Sequence, residues 1–276
     1  MKRAILKDRS LILISGDDAE KFLENIVTCR VAGMAINAMA FGALLTPQGK
    51  IMFDFFILRR EDGFLFDLPA DMAEEFAKRM TFYKLRAKVD ISSMDQLSVT
   101  ALWGDNNDTG IEDPRLPAMG TRYYSDDIPE AEDGNYDELR VANCMPEGGK
   151  DFEYGDAYPH ETLMDQFGGV DFRKGCFVGQ EVVSRMQHRG TVKKRIIMIR
   201  AEGNLPPAGE AILTDGKPAG KLGTVCSTGG LALLRLDRVA KANELSTNGI
   251  ILHPSLPEWV GFEMPGIENP GITDAG

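Results

Sequence analysis

The sequence predicts an α+β fold, in which antiparallel hairpins and packed helices form a body that is followed by a small antiparallel barrel or sandwich. Three observations carry this. Short apolar runs alternate with amphipathic stretches up to about residue 190. Three of the runs, "FGALLT", "IMFDFFILRR" and "FLFDLP", are joined by turn signals, with Pro47 and Gly49 in the first turn and Asp62-Gly63 in the second. Beyond residue 190 the chain becomes a series of short strands broken by Gly-rich turns at regular intervals. A length of 276 residues suits two or three folding units. We place the body at 1–190 and the strand-rich part with its tail at 191–276.

Taken in order, "LILIS" reads as a short buried strand. "GDDAEKFLENIV" reads as a helix capped by Asp17, with Ala19, Phe22, Leu23 and Ile26 on one face. After the three hairpin strands, "ADMAEEFAKRMTFYKL" is an amphipathic helix with Met72, Phe76 and Met80 on one side. "AKVDISS" and "LSVTALWG" return as strands. Residues 104–136, rich in Asp, Pro and Gly, read as long, solvated surface connections. "YPHETLMDQFGGVDF" reads as a proline turn leading into a helix, with Leu163, Met164 and Phe167 at helical spacing. The strands of the barrel begin in "TVKKRIIMIRAEG".

Composition narrows the function classes. Hydrophobic content of 43% and charged content of 26% are those of an ordinary globular protein. A net charge of −11 argues against a nucleic-acid partner, because phosphate contacts need a basic face. No apolar run reaches the ~18–20 residues of a membrane span, and "SLILISG" is too short for a secretory signal. Cys29, Cys144, Cys176 and Cys226 are far apart and form no CxxC pair. A disulfide framework or zinc site is therefore not expected, and a reducing compartment is: the cytoplasm, or an organellar matrix. One cysteine in a motif and three scattered ones do not supply the four thiolates of a stable cluster, so no resident metal is expected.

Chemistry concentrates between Arg173 and Arg195. Seven basic residues (Arg173, Lys174, Arg185, Arg189, Lys193, Lys194, Arg195) face one acid, Glu181, for a local +6 in an acidic chain. Gly175 and Gly179 allow unusual backbone conformations there. Cys176 sits in this basic setting, ahead of a helix expected to open near Gln180. Both features favour a thiolate, although a small buried core residue is the alternative. Glu161 follows the proline turn. There it either favours a helix dipole or offers a carboxylate that accepts paired hydrogen bonds from a pterin ring. No His–Asp arrangement marks Cys176 as a protease-type nucleophile.

"KGCFVGQEVVSRMQHRG" resembles the K-G-C-[YF]-x-G-Q-E-x-x-x-R signature of the YgfZ family, folate-binding relatives of the glycine-cleavage T-protein (aminomethyltransferase) that support iron–sulfur proteins. Lys174, Gly175, Cys176, Phe177, Gly179, Gln180, Glu181 and Arg185 occupy every fixed position. "LILISGDDAEKFLENIVT", "LLTPQGKIMFDFFIL" and "YPHETLMDQFGGVDFRKGC" extend the resemblance over about residues 5–240. It implies three domains in a ring around a folate pocket, one of them ferredoxin-like at roughly 45–100 and the last a small C-terminal antiparallel β-barrel at 191–276. Pro159-His160-Glu161 is similar to the P-x-E turn whose glutamate binds the pterin side. In the central hairpin T-proteins carry G-x-[IV]-x-D-D, whereas here "GKIMFDFF" keeps only Asp54, which also has a bland reading as an outward residue on an alternating strand.

The resemblance implies an accessory protein that binds tetrahydrofolate or a related reduced folate and supports iron–sulfur cluster assembly or repair in client proteins. Glu161, Lys174, Gln180, Arg185, Lys194 and Arg195 would hold the folate, together with Asp54. Cys176 would serve thiol chemistry or transient contact with a cluster or client. The alternative is a folate-dependent aminomethyltransferase in which Asp54 orients the attacking folate nitrogen.

Overall fold

The computed structural model describes residues 1–104, 109–127, 133–190, 192–242 and 244–264. In chain order the first part contains β1 (Lys2–Ile5), β2 (Arg9–Ser15), helix α1 (Ala19–Glu24), β3 (Met39–Leu45), β4 (Ile51–Arg60) and β5 (Gly63–Pro69). Helix α2 (Ala73–Lys84), β6 (Asp90–Ser93), β7 (Ser98–Trp103), β8 (Ile111–Glu112) and β9 (Thr121–Ser125) follow. Then come α3 (Tyr136–Ala142), α4 (Gln180–Arg189), β10 (Lys194–Ala201), β11 (Ala211–Thr214), β12 (Lys217–Cys226), β13 (Gly229–Arg235), α5 (Leu236–Val239), β14 (Leu245–Thr247) and β15 (Ile250–Ser255).

The chain forms two units. One holds Met1–Tyr136 and Phe167–Ser184, and the other holds Asp137–Gln166 and the chain from Arg185 onward. In the first unit the hairpin runs pair antiparallel in the sheet order β3-β4-β5-β2-β6. Strand alternation sends Phe53, Phe55 and Ile57 to one face, where α1 and α2 cover them. Phe53, Phe55 and Phe66 gather around Phe76 of α2, with ring centroids 5.2–5.6 Å from it. A second sheet has the order β1-β7-β9-β8.

On the other face of the five-stranded sheet lies a buried charge network. Asp67 accepts hydrogen bonds from Arg9 Nε and Arg122 Nη1, each at 2.6 Å, and from the Tyr124 hydroxyl at 3.0 Å. The Arg122 guanidinium stacks 3.8 Å from the Phe56 ring centroid. Arg115 grips Asp113 through two nitrogens at 2.9 and 2.7 Å. The Tyr136 hydroxyl accepts from both Arg115 and Arg122. Asp113, Arg115 and Arg122 belong to the stretch that composition marks as solvated connections. There the expectation fails, because these charged side chains pair with one another under cover instead of facing water. Residues 105–108 and 128–132 of that stretch lie outside the described residues.

The barrel of the second unit closes in the order β10-β13-β12-β11-β14-β15, with β15 antiparallel to β10. Ile197, Ile199, Leu222, Ala232, Leu234 and Leu252 fill it. A body running unbroken to residue 190 is not what forms, since 137–166 joins the barrel unit. The physical tie is Arg140, whose side chain has no exposed surface. It bonds Asp137 at 2.7 Å, Asp151 at 2.8 Å, the Met145 carbonyl at 2.9 Å and Thr224 Oγ1 of β12 at 3.0 Å. Residues 265–276 of the expected tail lie outside the described residues.

Two local expectations also change. α1 spans only six residues, and the residue that caps it is Asp18, not Asp17. The Asp18 carboxylate accepts from the Lys88 N–H at 2.8 Å instead of closing the helix. Residues 159–168 form successive turns rather than a helix, and Leu163 has a φ of +65°. That left-handed conformation interrupts right-handed helical winding.

Burial alone would raise the Asp67 carboxyl pKa, but Arg9 and Arg122 outweigh it and hold the carboxyl below its ordinary value. A folded value below the unfolded ~3.9 means the stabilisation is complete above that pH and is lost as pH falls through the folded value. Asp67→Asn is expected to cost about 3–5 kcal/mol in urea unfolding at pH 7, and to shrink the loss of stability on acidification.

Candidate functional site

The motif around Cys176 gains its geometry from two buried anchors. Lys174 has no exposed side-chain surface. Its ammonium donates to the carbonyls of Val27 at 2.9 Å and Cys29 at 2.7 Å, with Glu24 3.6 Å away. Burial pushes its pKa down, against the opposing pull of Glu24. Phe177 is buried, with the Lys174 nitrogen 5.8 Å from its ring centroid. Gly175 and Cys176, between these anchors, are exposed.

The second glycine of the motif locks the loop's far side. Gly179 has a φ of +79°, and a Cβ there would lie 2.5 Å from the Thr46 carbonyl oxygen. Gly49 also has a φ of +79°, and a Cβ there would lie 3.3 Å from the Gly179 carbonyl. Only glycine meets both the left-handed backbone and the close approach. α4 then begins at Gln180 and buries Val183. The spacing K-G-C-x-x-G-Q therefore presents one thiol on a loop pinned at both ends. Cys176 lies four residues ahead of the helix.

Of the four cysteines, Cys176 alone is exposed. Burial pushes the Cys29 thiol up to about 12 and raises that of Cys144 as well. Cys226 is half-buried and raised first by burial, then by Asp137. Also in the first unit, Asp54 sits in β4 opposite Ala43, two residues from Phe56 on the same face. It is buried, so the reading as a solvated outward residue is overturned. Gln180 is half-exposed at the start of α4.

The second unit holds the other predicted residues. Glu161 is buried within a turn, where its Oε2 accepts from the Tyr158 N–H at 3.0 Å. Its carbonyl accepts from Ile196 N–H of β10 at 2.9 Å. Neighbouring His160 places Nε2 2.9 Å from Gln187 Oε1, and burial lowers its pKa. Arg195 is turned inward: it pairs with both oxygens of Asp165 at 2.8 and 2.9 Å, and donates to the His160 carbonyl at 2.8 Å. Lys194 is half-exposed, 3.9 Å from Asp156. Arg185 is exposed on α4.

The local +6 is thus not a continuous basic rim, because Lys174 and Arg195 are engaged inside their own units. Among the described residues, no group of three or more His, Cys, Asp and Glu side chains is placed to hold a metal ion. What sequence reasoning missed is structural support, namely the Val27 and Cys29 carbonyls and the paired glycines 49 and 179. Gly49 carried a turn signal, but nothing local in the chain links it to a residue 130 positions away.

Known proteins resemble this architecture. Residues 193–262 match the family described as CAF17, C-terminal beta-barrel domain. A protein of Pyricularia oryzae named iron-sulfur cluster assembly factor IBA57 homolog, mitochondrial, is 30% identical over 94% of this chain and 80% of its own length. The Mus musculus protein named iron-sulfur cluster assembly factor IBA57, mitochondrial, is 27% identical over 92% of this chain and 84% of its own. In fold, the glycine cleavage system aminomethyltransferase T of Bartonella henselae superposes with a TM-score of 0.73. It covers 91% of this chain and 83% of its own length at 14% identity.

Exposure predicts the order of thiol modification. In the native protein at neutral pH, iodoacetamide is expected to label Cys176 first and Cys29 and Cys144 last, as read by peptide mass spectrometry over time. Equal labelling of Cys176 and Cys144 would contradict the loop geometry.

Proposed function

The chain belongs to the IBA57 family of iron–sulfur cluster assembly factors, and from that premise we propose that it assists cluster assembly or repair through Cys176. One observation carries this reading: the exposed thiol of Cys176 sits on a loop held between the buried anchors Lys174 and Phe177. A thiol fixed in this way can meet a cluster or a client protein without ordering a mobile loop first. The partners are iron–sulfur proteins or other assembly proteins, and the setting is a reducing compartment. The relatives' names place them in mitochondria. The full K-G-C-F-x-G-Q-E signature supports placing the chain with YgfZ-type members of the wider group.

A reduced folate is the second component of the proposal. The donor set suits it. Glu161 is a buried carboxylate, which can accept N–H groups of a pterin, while Arg185 and Lys194 offer cations for a glutamate tail. Lys174 and Arg195 are spent on internal bonds and leave this set. The competing reading, one-carbon transfer to folate, is favoured by the buried carboxylate of Asp54. Turnover with an aminomethyl donor on a carrier protein would establish it.

Two measurements test the proposal. Cys176→Ser is expected to keep its thermal unfolding midpoint but to restore less than a tenth of the activity of a cluster-dependent enzyme in cells lacking the native chain. Full restoration would remove Cys176 from the function. In calorimetric titration with tetrahydrofolate under anaerobic conditions, Glu161→Gln is expected to bind at least tenfold more weakly, since a charge-assisted hydrogen bond contributes ~1.5–3 kcal/mol.

A further inference from the structure

The five-stranded sheet ends at β3, an edge strand. Part of that edge is already covered. The Thr28 N–H donates to the Ala43 carbonyl at 2.9 Å, and the Ala43 N–H donates to Thr28 Oγ1 at 2.8 Å. Thr28 is in turn backed by the segment after residue 167: its hydroxyl donates to the Gly169 carbonyl at 2.6 Å, and its carbonyl accepts from Asp171 N–H at 2.9 Å. Outward-facing groups alternate along an antiparallel strand, so the backbone groups of Met39 and Phe41 point the same way as those of Ala43. Among the described residues, β4 is the only strand in the sheet beside β3.

Where the cover by Thr28 stops, a groove of about 600 Å3 opens. Met39, Phe41, Phe167 and Val170 give it an apolar lining. Arg30 and Arg173, both exposed, also line it. Asp171 balances one of these charges, with its carboxylate 2.9 Å from Arg30 Nε, which leaves the lining cationic by one. The lining reaches Arg173, three residues before Cys176. Open backbone groups beside apolar walls accept an extended chain, and cationic flanks select its charge.

We propose that this groove docks an extended, acidic segment of a partner protein, which adds as a strand along Met39–Phe41 and sets its carboxylates against Arg30 and Arg173. Because the groove ends three residues before Cys176, we assign this segment to the partner that meets Cys176, and that assignment alone rests on the function proposed above.

The probes are two labelled ten-residue peptides, one alternating Val with Glu and the other Val with Lys, measured by fluorescence polarisation against the full chain. The Glu peptide is expected to bind at least tenfold more tightly than the Lys peptide. The double variant Arg30→Glu/Arg173→Glu should reverse that preference. Met39→Pro removes an outward N–H without removing a bond to β4, and should weaken the Glu peptide at least tenfold. Amide exchange at Met39 and Phe41 should slow when the peptide is bound. Failure of the Glu peptide to bind, equal binding to the charge-reversed variant, or unchanged exchange at both amides would overturn the proposal. If Met39→Pro does not fold, the charge reversal and the exchange measurement decide. Loss of cluster support in Cys176→Ser with intact peptide binding, or the reverse, keeps the two proposals separable.

Discussion

A single buried ammonium sets the geometry on which the rest of the candidate site depends. Lys174 gives its hydrogens to the carbonyls that follow α1 and has no exposed side-chain surface. Removing such a charge from water is costly unless its donors are satisfied. Val27, Cys29 and Glu24 supply that satisfaction and thereby fix where the chain must emerge. It emerges at Gly175 and Cys176, turns back under cover at Phe177, and closes through Gly179 on the turn at Gly49. The exposed thiol is therefore a consequence of internal bonding on both sides of it. A lysine that reads as part of an anion-binding surface acts as the support of the loop.

The same logic recurs in each unit. Buried arginines hold together segments distant in the chain: Arg122 reaches Asp67, and Arg140 reaches Thr224. Every guanidinium nitrogen of Arg140 finds an acceptor, the condition under which a buried ion pair avoids a large desolvation cost. Arg122 instead bonds through its two terminal nitrogens and leaves its buried Nε without a hydrogen-bond partner among the described residues. Removing one member of such a network leaves a buried charge unpaired, which costs more than the intact network contributes over an apolar replacement. Of these ties Arg140 is the clearest, because it assigns the stretch from Asp137 to Gln166 to the barrel unit.

The proposed docking groove and the proposed thiol function share one architectural cause. Thr28 covers the edge of β3 only as far as Ala43, and the chain around it also carries the carbonyls that hold Lys174. The segment 167–173 closes over Thr28 and then becomes the motif itself. An edge left open for a partner strand and a thiol presented to solvent therefore arise from the same short crossing of chain.

By itself the sequence determined the periodic elements. Hairpin strands, the apolar face of α2 and the barrel were legible because alternation and helical spacing are local signals, and Pro-Gly and Asp-Gly punctuation bounds them. The motif was legible as well, since eight fixed residue types coincide in one short stretch. What only tertiary structure decided was the role of charge. Whether Arg195 faces a ligand or Asp165, whether Arg122 is solvated or stacked on Phe56, and whether Asp54 points outward or is buried depend on partners far away in the chain. The turns at 159–168 escaped for a related reason. Leu163 adopts a left-handed conformation, the segment closes short turns on itself, and β10 fixes the Glu161 carbonyl through the Ile196 N–H. Composition records which charges exist, but desolvation and pairing, which need three dimensions, decide which of them remain available.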